Sequence, residues 1–273
     1  MEPHRQRPGA GLVSTALLAA AFAHAPPAVA DDLAKWAASA QRTPANVARD
    51  PARHPLEVLR FFEVRDTSVV VEILPGSTGY YLEILAPYLR DRGRYVAASR
   101  ADTAPPQYVA DHRKLLARLQ AEPALYDRVV VTAFDAGKLE IAPAGSADFV
   151  LTFRNLHNWL ERDELEGALH AFHRALKPGG VLGVVDHRGR TDESQAAQMK
   201  RGYVREDVAI ALIERAGFKL AGRSEVNANP RDTKDYPAGV WTLPPTYRLG
   251  DQDRARYAAI GESDRFTLKF VKQ

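Results

Sequence analysis

Between Ser68 and Arg223, short β-branched and apolar runs alternate with helical patterns. Ser68–Leu74, "SVVVEIL", is nearly continuous, as in a strand buried on both faces. Tyr95–Ser99, Arg128–Phe134, Ala147–Phe153, Val181–Val185 and Phe218–Arg223 read as further strands. Helical spacing fills Tyr80–Leu89, Gln107–Gln120, Asp163–Leu176 and Arg205–Ala216. In the second of these, Tyr108, Leu115, Leu116 and Leu119 face inward. In the third, Asp163 and Glu166 have capping-box spacing ahead of a Leu165, Leu169, Phe172 and Leu176 stripe. A seventh strand, Arg265–Val271, alternates apolar and polar residues and is reached through a long polar loop. This order predicts an α/β fold: a doubly wound, seven-stranded, mostly parallel sheet with its last strand antiparallel.

The segments outside this pattern set the expected boundaries. Arg5 and Arg7 precede the apolar run Ala10–Ala23, and Ala28 and Ala30 follow in a small-x-small pattern. Residues 1–30 therefore read as an export signal cleaved after Ala30, with a periplasmic or secreted product. No later run is long and apolar enough to stay in a membrane. Residues 31–64 read as a helical entry segment broken at Pro44, Pro51 and Pro55. Residues 65–273 carry the α/β domain, with 225–264 as a loop or lid. The chain has no cysteine, which excludes disulfides, thiolate metal sites and a cysteine nucleophile. A formal net charge of +3, spread over 273 residues without a basic block, gives no reason to expect nucleic acid as a partner.

The turn after the first strand, "EILPGSTGYY", allows three readings. Gly76 and Gly79 let the backbone turn tightly and approach a cofactor at a helix N-terminus. Ser77 lies between small residues, loosely like a nucleophile elbow, with Asp135 and His157 or His187 as partners. An elbow serine normally follows several strands, however, and this one follows the first. A nicotinamide site wants three glycines and an acid ending the second strand. Here Leu74 stands at the first glycine position, and the second strand ends "AASRADT", with Arg100 the group that could meet a ribose phosphate.

The stretch "SADFVLTFRNLHNWLERDELEGALHAFHRALKPGGVLGVVDHRG", Ser146–Gly189, adds more. It resembles the fourth strand, fourth helix and fifth strand of class I S-adenosylmethionine-dependent methyltransferases. With "EILPGSTGYY" and the late antiparallel strand, the resemblance covers residues 65–273. It is nearest to a group of predicted bacterial methyltransferases, many with export signals, that share segments like "TFRNLHNW" and Gly261–Val271. The resemblance implies an S-adenosylmethionine-dependent methyltransferase acting on a small molecule. It assigns Glu72, Gly76, Ser77 and Gly79 to the cofactor, Asp135 to the adenine amine, and Asn155 and His157 to the methyl-transfer site. Two features depart from the family pattern: Leu74 with the displaced Gly79, and a second strand lacking its ribose-binding acid. A binding protein that keeps the fold without catalysis is the alternative.

Methyl transfer is an in-line displacement in which the enzyme aligns the reactants, excludes water and removes a proton where needed. His157 is the candidate base. Asp186 and His187 follow the fifth strand and could meet substrate. Arg49, Asp50, Arg53 and His54, in "ARDPARHP", could bind an anionic substrate or form a structural salt-bridge knot. Tyr236, Trp241 and Tyr247 would touch substrate if 225–264 closes as a lid. His170 and His173 sit three apart on a helix, but no further ligand accompanies them, so no metal is expected.

Overall fold

Strand β1 (Val69–Ile73) lies inside the sheet, with apolar side chains on both of its faces. Val71 and Ile73 enter one core layer, while Val70 enters the other. Around it lie β2 (Arg94–Ser99), β3 (Val130–Ala133), β4 (Ala147–Phe153), β5 (Leu176–His187), β6 (Phe218–Ser224) and β7 (Arg265–Lys272). The spatial order is β3-β2-β1-β4-β5-β7-β6. Strands β1 to β5 pair in parallel, and β7 inserts antiparallel between β5 and β6. The computed structural model describes Met1 and residues 32–102, 104–135 and 137–273. The expected export signal and its cleavage point after Ala30 lie outside the described residues.

Helices cover both faces. In chain order they are α1 (Asp32–Ala37), α2 (Pro44–Val47), α3 (Asp50–Arg53), α4 (Pro55–Phe62), α5 (Leu82–Leu89), α6 (Pro106–Ala121), α7 (Pro123–Tyr126), α8 (Leu156–Glu161), α9 (Leu165–Ala175), α10 (Gln195–Met199), α11 (Glu206–Arg215) and α12 (Arg254–Ile260). One layer is built by Trp159 of α8, Leu169 and Phe172 of α9 and Ile213 of α11. The other is built by Leu33 of α1, Leu59 and Phe62 of α4, and Leu82, Ile84 and Leu85 of α5. Each such large side chain contributes about 1.5–3 kcal/mol by leaving water.

Three local expectations change. Asp163 does not cap α9: it takes a left-handed φ of 57°, and Glu164 stands at the cap with no side-chain cap bond. Strand β5 starts at Leu176 rather than Val181, because Leu176 already pairs with Ala147 ahead of a register shift. On α6, Leu115 is buried and Tyr108, Leu116 and Leu119 only half-buried, while Val109 and His112 join the buried face.

The entry segment is pinned by polar bonds. Arg42 donates to both carboxylate oxygens of Asp50 at 2.6 and 2.8 Å, and Tyr80 donates to Asp50 at 2.5 Å. Buried Glu83 accepts from Arg118 at 2.5 Å and from the Thr43 N–H at 3.1 Å. Asn46 donates to the Thr78 carbonyl at 2.9 Å, which ties the entry segment to the turn after β1. Residues 225–264 hold a 3-10 turn, Gly239–Thr242, and α12, with a small core of Tyr236, Leu243 and Tyr257.

Candidate active site

The turn after β1 keeps a glycine-like backbone without a glycine at its start. Leu74 has φ 52°, Gly76 φ 68° and Gly79 φ 54°. A side chain at Gly76 would meet nothing within 4 Å, so this part of the turn opens onto free space. Gly79 is different: a Cβ there would press on Leu82 and on Arg118 of α6.

A cleft of about 240 Å³ lies over the C-terminal ends of β1, β2 and β4. Leu74, Tyr108 and Trp159 supply apolar wall, and Gly76, Ser99, Asp111 and Asn155 are among its polar lining. A second cleft of about 290 Å³ shares Arg100 and Trp159 with it and reaches Asp135. Arg100, at the end of β2, donates to Asp135 at 3.1 Å and lies over the Tyr108 ring. The position that lacks the expected acid is thus held by a guanidinium paired to Asp135. Both clefts sit at the strand ends where open α/β sheets bind ligands.

Glu72 does not line either cleft. It is buried beneath the sheet surface, where Tyr95 donates to it at 2.5 Å. Burial pushes its carboxyl up to about 7, against the opposing hydrogen bond from Tyr95. Ser77 also lies outside the clefts, and His157 and His187 point their Nδ1 atoms at other partners, so no elbow triad forms.

The chemistry-bearing side chains gather at the ends of β4 and β5. Asp186 is fully buried and accepts from the N–H groups of Leu156 and His187, each at 2.7 Å. Its Oδ1 lies 3.0 Å from Nδ1 of His157. Burial works to raise the Asp186 carboxyl, but the nearby His157 and the hydrogen bonds outweigh it, and the group stays below the usual carboxylate range. An ionised carboxylate only accepts, so Nδ1 of His157 carries the proton of this bond. His187 shares a 2.5 Å contact with the Ser263 hydroxyl. Burial, then His157, Arg154 and Arg265, drive its imidazole well below the usual value against the pull of Asp186, which keeps it neutral. Trp241 of the 3-10 turn meets the His157 ring edge-on at 6.0 Å between centroids. Tyr236 and Tyr247 instead belong to the small core of 225–264, with Arg254 over Tyr247.

His157, Asp186 and His187 also have potential metal-ligand atoms within 4.8 Å of one another. Asp186 already faces three N–H donors, and the neighbouring Arg154 and Arg265 oppose a cation. His170 and His173 lie elsewhere, His173 packing edge-on against Phe218.

Of the entry-segment residues, Arg49 and Arg53 turn toward Glu262, while Asp50 is spent on Arg42 and Tyr80. His54 sits at φ 44° between α3 and α4. Sequence reasoning missed Tyr108, Asp111 and His112, although their i, i+3, i+4 spacing put them on one face of α6. It also missed Arg154, Glu262 and Arg265, which lie far apart in the chain and meet only through the sheet order.

The two adjoining clefts offer chemistry suited to an adenosine-type cofactor: a Gly76 turn open to free space, aromatic walls, and donors and acceptors at the ends of β2 and β3. Residues 76–184 match the family model described as a methyltransferase domain. No curated protein matches the chain by sequence. Among solved structures, an S-adenosylmethionine-dependent methyltransferase from Aquifex aeolicus superposes with a TM-score of 0.56 at 16% identity, over 89% of this chain and 97% of that one. The [4+2]-cyclase SpnF gives 0.54 at 20% identity, over 81% of each chain. Mitomycin 7-O-methyltransferase MmcR gives 0.50 at 16% identity, over 83% of this chain and 54% of that one. The cyclase shows that this fold by itself does not name the reaction. Residues 76–184 thus match the methyltransferase-domain model, and the chain has the fold of the S-adenosylmethionine-dependent methyltransferases.

Proposed function

We propose that the protein transfers a methyl group from S-adenosylmethionine to a small-molecule acceptor, and that it does so after export. The observation that carries this reading is the adjacency, on one short helix, of the cleft at the strand ends and the His157–Asp186 pair. Asn155, Asn158 and Trp159 line the cleft, while His157 on the same helix turns to Asp186.

The residues that would hold the cofactor are Gly76, Ser99, Arg100, Asp135, Asn155 and Trp159. Bound there, the sulfonium supplies an activated methyl group. The chain's own residues do the rest. Asp186 holds His157 in one tautomer and orientation, and Nε2 of His157 accepts the proton that the acceptor loses. Trp241 covers His157 and limits water. Asn155 is held by its own bond to Thr152 at 3.1 Å, which fixes the bend between β4 and α8. Such positioning is the main work of a displacement that needs little covalent help.

Calorimetric titration of the chain with S-adenosylmethionine tests the reading. Saturable binding that is lost in Gly76→Asp is expected. No heat at millimolar cofactor would sink it. Binding with no turnover on any acceptor would leave a binding protein with a methyltransferase fold.

A further inference from the structure

Four guanidinium groups gather beside the His157–Asp186 pair around a single carboxylate. Arg49 of the entry segment lies 2.8 Å from Oε1 of Glu262. Arg53 of α3 lies 3.2 Å from Oε2, and Arg265 of β7 lies 3.0 Å from the same oxygen. Arg154, at the end of β4, makes no side-chain hydrogen bond or ion pair among the described residues, yet it feels the charges of Arg53, Arg49, Glu262 and Arg265.

The deficit of negative charge is visible atom by atom. Nη2 of Arg49, Nη2 of Arg53 and Nε of Arg265 are buried without an acceptor. Burial first, then the neighbouring guanidiniums, push Arg154 down to about 9. Arg49 and Arg265 are lowered as well, in each case by burial and then by like charge against the pull of Glu262. Glu262 moves the other way: burial opposes, but Arg53, Arg265 and Arg49 together hold it at about 2. Uncompensated buried charge of this kind is rare because it is costly.

Arg42 Nε and Arg188 Nε and Nη2 are likewise buried without a hydrogen bond, but the charge balance there differs. Arg42 pairs with Asp50, Arg118 with Glu83, and Arg188 with Glu206, Glu225 and Asp264, whereas Arg49, Arg53 and Arg265 share Glu262. A salt-bridge knot therefore accounts for Arg42 and Asp50 but not for the four groups at Glu262. Their location is also specific. Arg265 is the strand partner of His187, and Arg154 directly precedes Asn155. After burial and His157, Arg154 and Arg265 are the groups that lower the His187 imidazole. Planar guanidiniums in such a group match the paired oxygens of a carboxylate or phosphate.

We propose that Arg49, Arg53, Arg154 and Arg265 bind an anionic group, a carboxylate or a phosphate, and that this group belongs to the methyl acceptor. The second half of the statement rests on the methyl-transfer reading; the anion site itself does not. The acceptor is then an anionic small molecule, held by its charge near the end of β4 and the start of β7 with its nucleophile toward His157.

The test is calorimetric titration of the chain with inorganic phosphate and with malonate, at constant ionic strength set by chloride. At least one ion is expected to bind saturably, and the tighter one identifies the anion class. Arg154→Met is expected to weaken that binding about tenfold or more. Because Arg154 has no partner to lose, the variant should also melt no lower than wild type in anion-free buffer. Absence of saturable binding by either ion, or equal binding by wild type and Arg154→Met, overturns the proposal. Should Arg154→Met fail to fold, Arg49→Gln decides by the same comparison. Titration with S-adenosylhomocysteine in parallel separates the two readings. Anion binding without cofactor binding rejects only methyl transfer, and cofactor binding without anion binding rejects only the anion site.

Discussion

Nδ1 of His157 and Oδ1 of Asp186 lie 3.0 Å apart, joining helix α8 to the end of β5. The carboxylate is fixed first, by two backbone N–H groups, and the imidazole is oriented by it. An amide in place of Asp186 offers one acceptor oxygen to three donors. Asp186→Asn is therefore expected to lose about 2–3 kcal/mol of stability, measured by urea denaturation. Nitrogen-15 NMR should find the His157 proton on Nδ1 in wild type and a mixture of tautomers in the variant. His157→Ala is expected to lower turnover, read as S-adenosylhomocysteine release, by about 10²–10⁴. Its cofactor affinity should stay within about twofold, since that ring lies outside the cleft.

Glu72 gives a pH signature of its own. Its carboxyl rises from 4.5 to about 7 in the fold, so it stays protonated where the unfolded chain ionises. Its contribution is fully present below pH 4.5 and is lost as pH rises through about 7. Glu72→Gln can still accept from Tyr95 and carries no charge. It should match wild type near pH 4.5 and exceed it at pH 8, by up to about 3 kcal/mol. Equal stability at both pH values would count against a strained carboxyl.

Glu262 predicts the opposite sign. Its carboxyl falls from 4.5 to about 2, so its contribution is present above pH 4.5 and is lost as pH falls through about 2. Glu262→Gln leaves four guanidiniums facing one another and should lose about 3 kcal/mol at pH 7. The gap from wild type should close toward pH 2. Adding Arg154→Met should recover part of the loss, because like charges within one cluster are not additive.

Leu74 holds a left-handed φ of 52° at the lip of the cleft, where its side chain takes up space. Leu74→Gly relieves that strain, worth about 1 kcal/mol, and gives up part of an apolar wall. Net stability should change by less than about 1 kcal/mol. Affinity for S-adenosylhomocysteine should rise about tenfold as the backbone becomes approachable. Unchanged affinity by calorimetry would separate Leu74 from the cofactor.

Much of this molecule follows from local chemistry alone. Continuous β-branched runs such as Val69–Ile73 favour buried strands, and the Leu165–Leu169–Phe172 stripe favours a helix packed against them. Strand–helix alternation and an alternating final strand then lead to the seven-stranded order. Positive φ at Gly76 and Gly79 was likewise legible, since no other residue adopts it so cheaply. What tertiary structure alone decided is which groups meet. Glu72 looked like a cofactor ligand from its place in the motif, but the side-chain alternation of β1 turns it into the core beside Tyr95. Asp50 sat among arginines in the sequence, and geometry gave it to Arg42 rather than to Arg49 or Arg53. Arg154 and Glu262 are more than a hundred residues apart, and only the insertion of β7 beside β5 brings them into one electrostatic cluster. Periodicity reports which way a side chain faces relative to its neighbours in the chain; long-range charge and hydrogen-bond partners are set by sheet order, which periodicity does not encode.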